Sequence, residues 1–142
     1  MKFLLPLLIV SCALPIQKVC AQNKIIDSLK EVLQTQKEDT NKVNTWASLS
    51  FMYRNMDADS GLYYGQHALA LAQKLPWKTG MAKAYKCMGN NYYAMAASQK
   101  ALECFQRSWK IYAELNNKTG IAESIGLTGK AYYSLSEYPR AL

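Results

Sequence analysis

The chain has 142 residues, half of them hydrophobic, and a formal net charge of +7. A chain of this length is sufficient for one domain with one continuous core. The composition is that of an ordinary globular or helical-repeat protein, and it argues against an intrinsically disordered chain.

The first predicted element is a secretory signal peptide over residues 1–21. A lysine at position 2 precedes an apolar run from Phe3 to Val10, and the segment ends in small residues at Cys20 and Ala21. This order of positive charge, apolar run and small residues predicts an exported protein, periplasmic or secreted, with cleavage after Ala21.

Two alternatives for this segment stay open. A transmembrane helix would need about 20 consecutive apolar residues, more than this run offers, whereas the lipobox-like sequence IVSC at 9–12 would make Cys12 a lipidated first residue.

Cleavage after Ala21 leaves 15 basic and 10 acidic residues, a net charge of +5, and two cysteines, Cys87 and Cys104. Two cysteines are few for a disulfide framework in a small exported domain, so we expect two buried free thiols.

Residues 22–37 are predicted to form an N-terminal capping helix. Apolar residues recur there at helical spacing and share one face, at Ile25, Ile26, Leu29, Val32 and Leu33. A stack of helices must cover its first apolar surface, and this helix is placed to do so.

The rest of the chain repeats with a period of forty residues. The stretches 78–102 and 118–142 are identical at nine of their twenty-five positions, and a fixed period is typical of a repeat architecture. We predict units of two helices at 43–81, 82–121 and, incomplete, 122–142, and we expect the chain to continue past Leu142.

Small residues let the helices approach closely while aromatic residues fill the space around them. This packing signature comprises Trp46, Tyr53, Ala82, Tyr85, Gly89, Tyr92, Ala101, Phe105, Ala122, Gly129, Tyr132 and Ala141.

Local signals predict how some helices begin and pack. The Lys-Thr-Gly stretches at 78–80 and 118–120 are expected to be turns, with the threonine capping the helix that follows. Asp57 is expected to be solvated and to cap a helix. Gly61 and Gly65 predict a loosely packed second helix in the first unit.

No pattern of catalytic or cofactor-binding residues is present in the sequence. The one histidine, His67, has no second histidine at helical spacing, and Cys87 and Cys104 have no CxxC partner. The sequence also has no P-loop, no GxGxxG after a strand and no GxSxG elbow. We therefore predict a non-enzymatic protein, with no catalytic residue, cofactor or metal site.

The pattern Ala82-x-x-Tyr85-x-x-Met88-Gly89-x-x-Tyr92, followed by Ala101-x-x-x-Phe105-x-x-Ser108, resembles the tetratricopeptide repeat (TPR). The resemblance covers about residues 43–142. It implies an all-α, TPR-like solenoid of helical hairpins, wound into a right-handed superhelix with a concave peptide groove. The groove positions it implies are Asn44, Ala47, Phe51, Arg54, Lys83, Lys86, Asn90, Tyr93, Glu123, Gly126, Lys130 and Tyr133.

This implied groove mixes cations, amides and aromatic rings, which suits a protein or peptide partner with acidic side chains. The alternative, given equal weight, is that Lys83, Lys86 and Lys130 form a merely solvated face. Basic residues beside aromatic ones also raise nucleic acid as a partner, but export and a modest charge argue against it, so none is predicted. We expect membrane attachment only through a segment beyond Leu142 or through lipidation at Cys12.

A more specific resemblance is carried by CAQNKIIDSL, EDTNKVNTW and NKTGIAES. These stretches resemble the exported repeat regions of Bacteroidetes-type sensor proteins, which implies a periplasmic sensory ectodomain of a histidine kinase, transcriptional regulator or cyclase. Two functions are thus predicted: an exported scaffold for protein–protein or peptide binding, or the sensory half of a signal-transduction protein.

Overall fold

The computed structural model describes residues 21–137, and the fold is all-α over that range. Residues 1–20 of the predicted signal peptide, which include Cys12, lie outside the described residues, as does the last predicted packing residue, Ala141. The chain divides after Thr35 into two compact units. No helix within residues 21–137 is both long enough and apolar enough to cross a membrane.

The described part of the first unit is one helix, α1, over residues 21–35. It coincides closely with the helix predicted over 22–37. The helix ends before Gln36, and the chain is then non-helical as far as Asp39. The capping role of α1 stays a prediction.

The second unit consists of five helices that pack in chain order. They are α2 (Thr40–Tyr53), α3 (Ala58–Lys74), α4 (Lys78–Ala94), α5 (Ser98–Glu114) and α6 (Lys118–Glu137). Each helix packs on the next one, and α2 also packs on α4. The first helices of the three predicted units thus begin three or four residues before the predicted boundaries at 43, 82 and 122.

The helices from α3 onward begin at a fixed step of twenty residues, at 58, 78, 98 and 118. Three-residue loops join them, and in the loop after α4 the middle residue, Ala96, has φ +57°. The backbone N–H of Ala97 donates to Tyr92 O at 2.9 Å and that of Ala96 donates to Tyr93 O at 3.0 Å. This is a Schellman ending, which satisfies the last carbonyls of the helix, and it recurs after α5 around Asn116, at φ +51°.

Replacing Ala96 by glycine is expected to stabilise the protein by about 0.5–1 kcal/mol, because an L-residue with a Cβ is strained in the left-handed region and glycine is not. Urea denaturation followed by circular dichroism measures the change. Ala94→Gly is the control, since Ala94 lies two residues earlier in regular helix and its replacement should lower stability. If both variants are destabilised, the strain at Ala96 is not real.

The predicted loose packing around Gly61 and Gly65 is wrong. Both glycines are buried, and a Cβ on Gly61 would collide with the Asn91 amide, while one on Gly65 would lie 2.6 Å from Met88 Cγ. The fully buried Asn91 side chain donates from Nδ2 to Ser50 O at 3.0 Å, to Ser50 Oγ at 3.1 Å and to Cys87 O at 2.9 Å. The glycines therefore let side chains of α4 pack closely on α3, and Asn91 ties α4 to α2.

The Lys-Thr-Gly stretches are not turns, so that prediction is also wrong. Lys78 and Lys118 are the first residues of α4 and α6, which puts both glycines inside a first helical turn. Gly80 packs against the Trp77 ring and Gly120 against the Tyr112 ring, so each glycine is explained by close packing. The threonines do not cap: Trp77 precedes α4 without a side-chain cap, and before α6 it is Asn117 Oδ1 that accepts from the backbone N–H of Gly120 at 2.9 Å.

The cap predicted at Asp57 is confirmed. Asp57 precedes α3 and accepts hydrogen bonds from the Ser60 backbone N–H at 3.3 Å and from the Ser60 hydroxyl at 2.5 Å. These hydrogen bonds favour the ionised carboxylate and lower the pKa of Asp57 below its usual value.

Residues of the predicted packing signature differ in burial between the second and third units. Ala82, Gly89, Ala101 and Phe105 are buried, and Trp46, Tyr53, Tyr85 and Tyr92 are half-buried. By contrast, Ala122, Gly129 and Tyr132 of α6 are exposed. The equivalent residues of α4 are covered by α5. On α6, Tyr132 OH accepts a hydrogen bond from Gln106 Nε2 of α5 at 3.3 Å, and Ala122 lines a hollow beside α2 and α4.

Candidate binding groove

The candidate site lies along one side of α2, α4 and α6. Its side chains recur three or four residues apart on each helix, which places them on a common face. They come from alternate helices of the second unit: α2 packs directly on α4, and an ion pair joins α4 to α6. We define the groove as two adjoining hollows. The first is lined by Asn44, Ala47, Ser48, Phe51, Met52, Lys83, Lys86 and Cys87, and the second by Phe51, Arg54, Lys86, Asn90, Ala122, Glu123, Gly126, Leu127 and Lys130.

In the first hollow, polar side chains bridge α2 and α4. Lys83 Nζ donates to Asn44 Oδ1 at 3.0 Å, and the same ammonium lies 5.6 Å from the Trp77 ring centroid. Phe51, which is 43% exposed, extends from α2 at the far end of this hollow. The hollow therefore combines a positioned cation with an accessible aromatic ring.

The second hollow contains an ion pair between α4 and α6. Lys86 Nζ lies 2.6 Å from Glu123 Oε2, and the Lys86 side chain is only 25% exposed. Nearby, the Arg54 guanidinium stacks 3.8 Å from the Phe51 ring centroid, and its Nη1 donates to Phe51 O at 2.9 Å. The cation–π contact and the hydrogen bond together hold the guanidinium beside the second hollow.

Burial and the ion pair act in opposite directions on the pKa of Lys86. Burial lowers it, but the hydrogen bond and the charge of Glu123 outweigh burial, so the pKa of Lys86 is raised above its ordinary value. Lys86 is therefore a permanent cation. The side chains that line the groove include four cations, Arg54, Lys83, Lys86 and Lys130, and one carboxylate, that of Glu123.

Cys87 contributes to the first hollow as an apolar group. Burial raises the pKa of its thiol to about 11, although Lys86, Lys83 and Arg54 act in the opposite direction. The thiol is thus protonated at neutral pH and is a poor nucleophile. Cys87 and Cys104 are both buried and free, as expected from the sequence.

Ten of the twelve predicted groove positions line the two hollows, including Ala47 and Gly126. The other two, Tyr93 and Tyr133, are 40% and 68% exposed and lie outside both hollows. The sequence reasoning missed Ser48, Met52, Cys87, Ala122 and Leu127 as lining residues. Each directly follows or precedes a predicted position or lies within one helical turn of it, so allowing a wider face on each helix would have found them.

His67 lies outside the groove, in a row of aromatic rings. Its ring centroid is 4.4 Å from that of Tyr63 and 5.3 Å from that of Trp46. Within residues 21–137, no three metal-ligating side chains cluster together. His67 is thus a packing residue here.

Two comparisons with known proteins give no relative. No protein-family model matches this chain. No curated protein matches it at a significant level.

Proposed function

We propose that the groove binds a peptide segment of a partner protein that carries acidic side chains. The observation that carries this proposal is that Phe51 and Lys86 line both hollows. The two hollows therefore form one surface that crosses from α2 over α4 to α6. A surface of this length suits a segment of several residues better than a small, enclosed ligand.

The charges favour acidic side chains in the ligand. Glu123 compensates Lys86, while Arg54, Lys83 and Lys130 remain available as cations along the same surface. Cations that converge from different helices attract carboxylates and disfavour basic ligands. The amides of Asn44 and Asn90 can pair with a peptide backbone, which carries both donors and acceptors.

The apolar lining supplies the rest of the binding energy. Ala47, Met52 and Cys87 form the apolar part of the first hollow, beside the exposed Phe51 ring. An apolar side chain of the ligand buried there would gain about 25 cal/mol for each Å² removed from water. We therefore expect ligands in which an apolar residue lies near acidic ones.

Selection of peptides from a random library on the purified chain tests the proposal. Selected sequences should contain acidic residues, and Lys130→Glu should weaken their affinity about tenfold, because it turns an attraction into a repulsion. Raising the salt concentration should weaken binding to the original chain more than to the variant.

Lys110→Glu is the matched control, because Lys110 is an exposed lysine of α5, outside the groove. It makes the same change in net charge and should leave affinity nearly unchanged. Equal losses in the two variants would mean that net charge alone drives binding. Selected peptides without acidic residues would contradict the proposed ligand class.

A further inference from the structure

The two lysines of α4 that line the groove are held by acceptors of different charge. Lys83 Nζ donates to the neutral amide oxygen of Asn44 on α2 at 3.0 Å. Lys86 Nζ donates instead to a carboxylate oxygen of Glu123 on α6, at 2.6 Å. A carboxylate of a ligand can therefore join Lys83 without meeting another negative charge there, whereas at Lys86 it meets Glu123 and is repelled by it.

Lys86 needs an acceptor at all times. It lies where the two hollows meet, since it lines both of them, and its side chain is only 25% exposed. A largely buried ammonium that loses its partner also loses the attraction that offsets its desolvation. Any ligand that separates Lys86 from Glu123 must therefore supply an acceptor of its own, and a carboxylate is the strongest acceptor that a peptide side chain carries.

Glu123 is held less firmly than Lys86. Its side chain is 50% exposed, and within residues 21–137 its carboxylate accepts a hydrogen bond from Lys86 alone. Gly126 lines the same hollow one helical turn farther along α6, and around a Cβ placed there no atom outside the local helix backbone lies within 4 Å. There is thus open space beside the ion pair, and a carboxylate that turns into water regains its hydration at little cost.

We propose that a carboxylate of the bound peptide takes the place of Glu123 on Lys86, while the Glu123 side chain turns out into water. This inference rests on the proposed function, because it takes an acidic peptide as the ligand of the groove. Glu123 then keeps Lys86 compensated while the groove is empty, and it competes with the ligand for the same ammonium. It is therefore a residue that limits the affinity of the groove for acidic ligands.

An acidic peptide selected on the purified chain is the probe, labelled and titrated into the full chain. Glu123→Gln removes the competing charge and keeps the size of the side chain. It should raise the affinity of the peptide about fivefold, the effect of losing one partly exposed ionic competitor. Glu103→Gln is the matched control, because Glu103 is an exposed glutamate of α5, outside the groove, and it should leave affinity nearly unchanged. The proposal is overturned if Glu123→Gln binds no more tightly than the original chain, or if both variants gain equally.

Peptides in which the acidic residues are replaced by their amides, one at a time, locate the exchange. For the peptide residue that binds Lys86, the gain from Glu123→Gln should disappear, because the carboxylate that competes with Glu123 is then absent. A change in how α4 and α6 pack would not depend on the peptide position in this way. If the gain is the same for every amide peptide, Glu123 acts only through its long-range field, and the exchange does not occur.

Failure of this exchange can be distinguished from failure of the proposed function. If Lys130→Glu weakens peptide binding as expected but Glu123→Gln does not strengthen it, the groove binds acidic peptides and only the exchange is wrong. If the selected peptides contain no acidic residues, the proposed ligand class is wrong and the exchange is overturned with it.

Discussion

Phe105→Ala is expected to lower the free energy of unfolding by about 3–5 kcal/mol, the usual cost of truncating a buried phenylalanine. The Phe105 side chain is 1% exposed and lies in a cluster with Ala101, Leu102 and Ala131. Its ring also fills the space over Gly89. Because the backbone of Gly89 lies on one side of the ring, neighbouring side chains can fill little of the cavity that truncation leaves.

Urea denaturation of the full chain, followed by circular dichroism at a helical wavelength, measures this loss. Trp109→Ala is the control, because it removes an even larger aromatic ring from the same helix at a position that is 38% exposed. We expect the control to cost much less, since most of the large effects of substitution come from buried sites. Similar losses in the two variants would show that Phe105 is not at the centre of this core.

The same substitution at two equivalent glycines is expected to have opposite effects. Gly89→Ala should destabilise the protein by about 1–2 kcal/mol, because the new Cβ would lie 2.5 Å from Phe105 Cε1 and 2.7 Å from Cδ1, and a buried ring cannot move aside without strain. Gly129→Ala should stabilise it by about 0.5–1 kcal/mol, since alanine is the better helix former and the site is open.

Thermal and urea unfolding of both single variants and of the double variant test this contrast. The two residues lie forty positions apart on different helices, so the effects should add. Destabilisation by Gly129→Ala would mean that another group already packs on Gly129 in solution. Stabilisation by Gly89→Ala would mean that α5 does not pack closely on α4.

The helices themselves could be predicted from the sequence because their apolar and small residues recur at helical spacing. The placement of the groove depended on the forty-residue period, which brings residues such as Asn44 and Lys83 together across 39 positions. Period alone does not say how wide the exposed face of each helix is. For that reason Met52 and Leu127 were missed as lining residues.

The wrong predictions about turns and loose packing share one cause, which is that glycine was interpreted locally. Gly80 looked like a turn residue, but the Trp77 ring requires a residue without a side chain at that place in a helix. Gly61 looked like a packing defect, but it accommodates the Asn91 amide, whose hydrogen-bonding partner Ser50 is 41 residues away in the chain. Distant contacts of this kind leave no local signal.

The step of twenty residues from helix to helix also has a consequence for how the protein folds. Each helix finds its neighbour across a loop of about three residues, so little chain entropy is lost when the pair closes. Helical proteins dominated by such local contacts fold within microseconds to milliseconds. The groove, however, is built from α2, α4 and α6, which are separated by intervening helices. We expect it to form only after these helices have packed, so that binding competence is among the last properties the folding chain acquires.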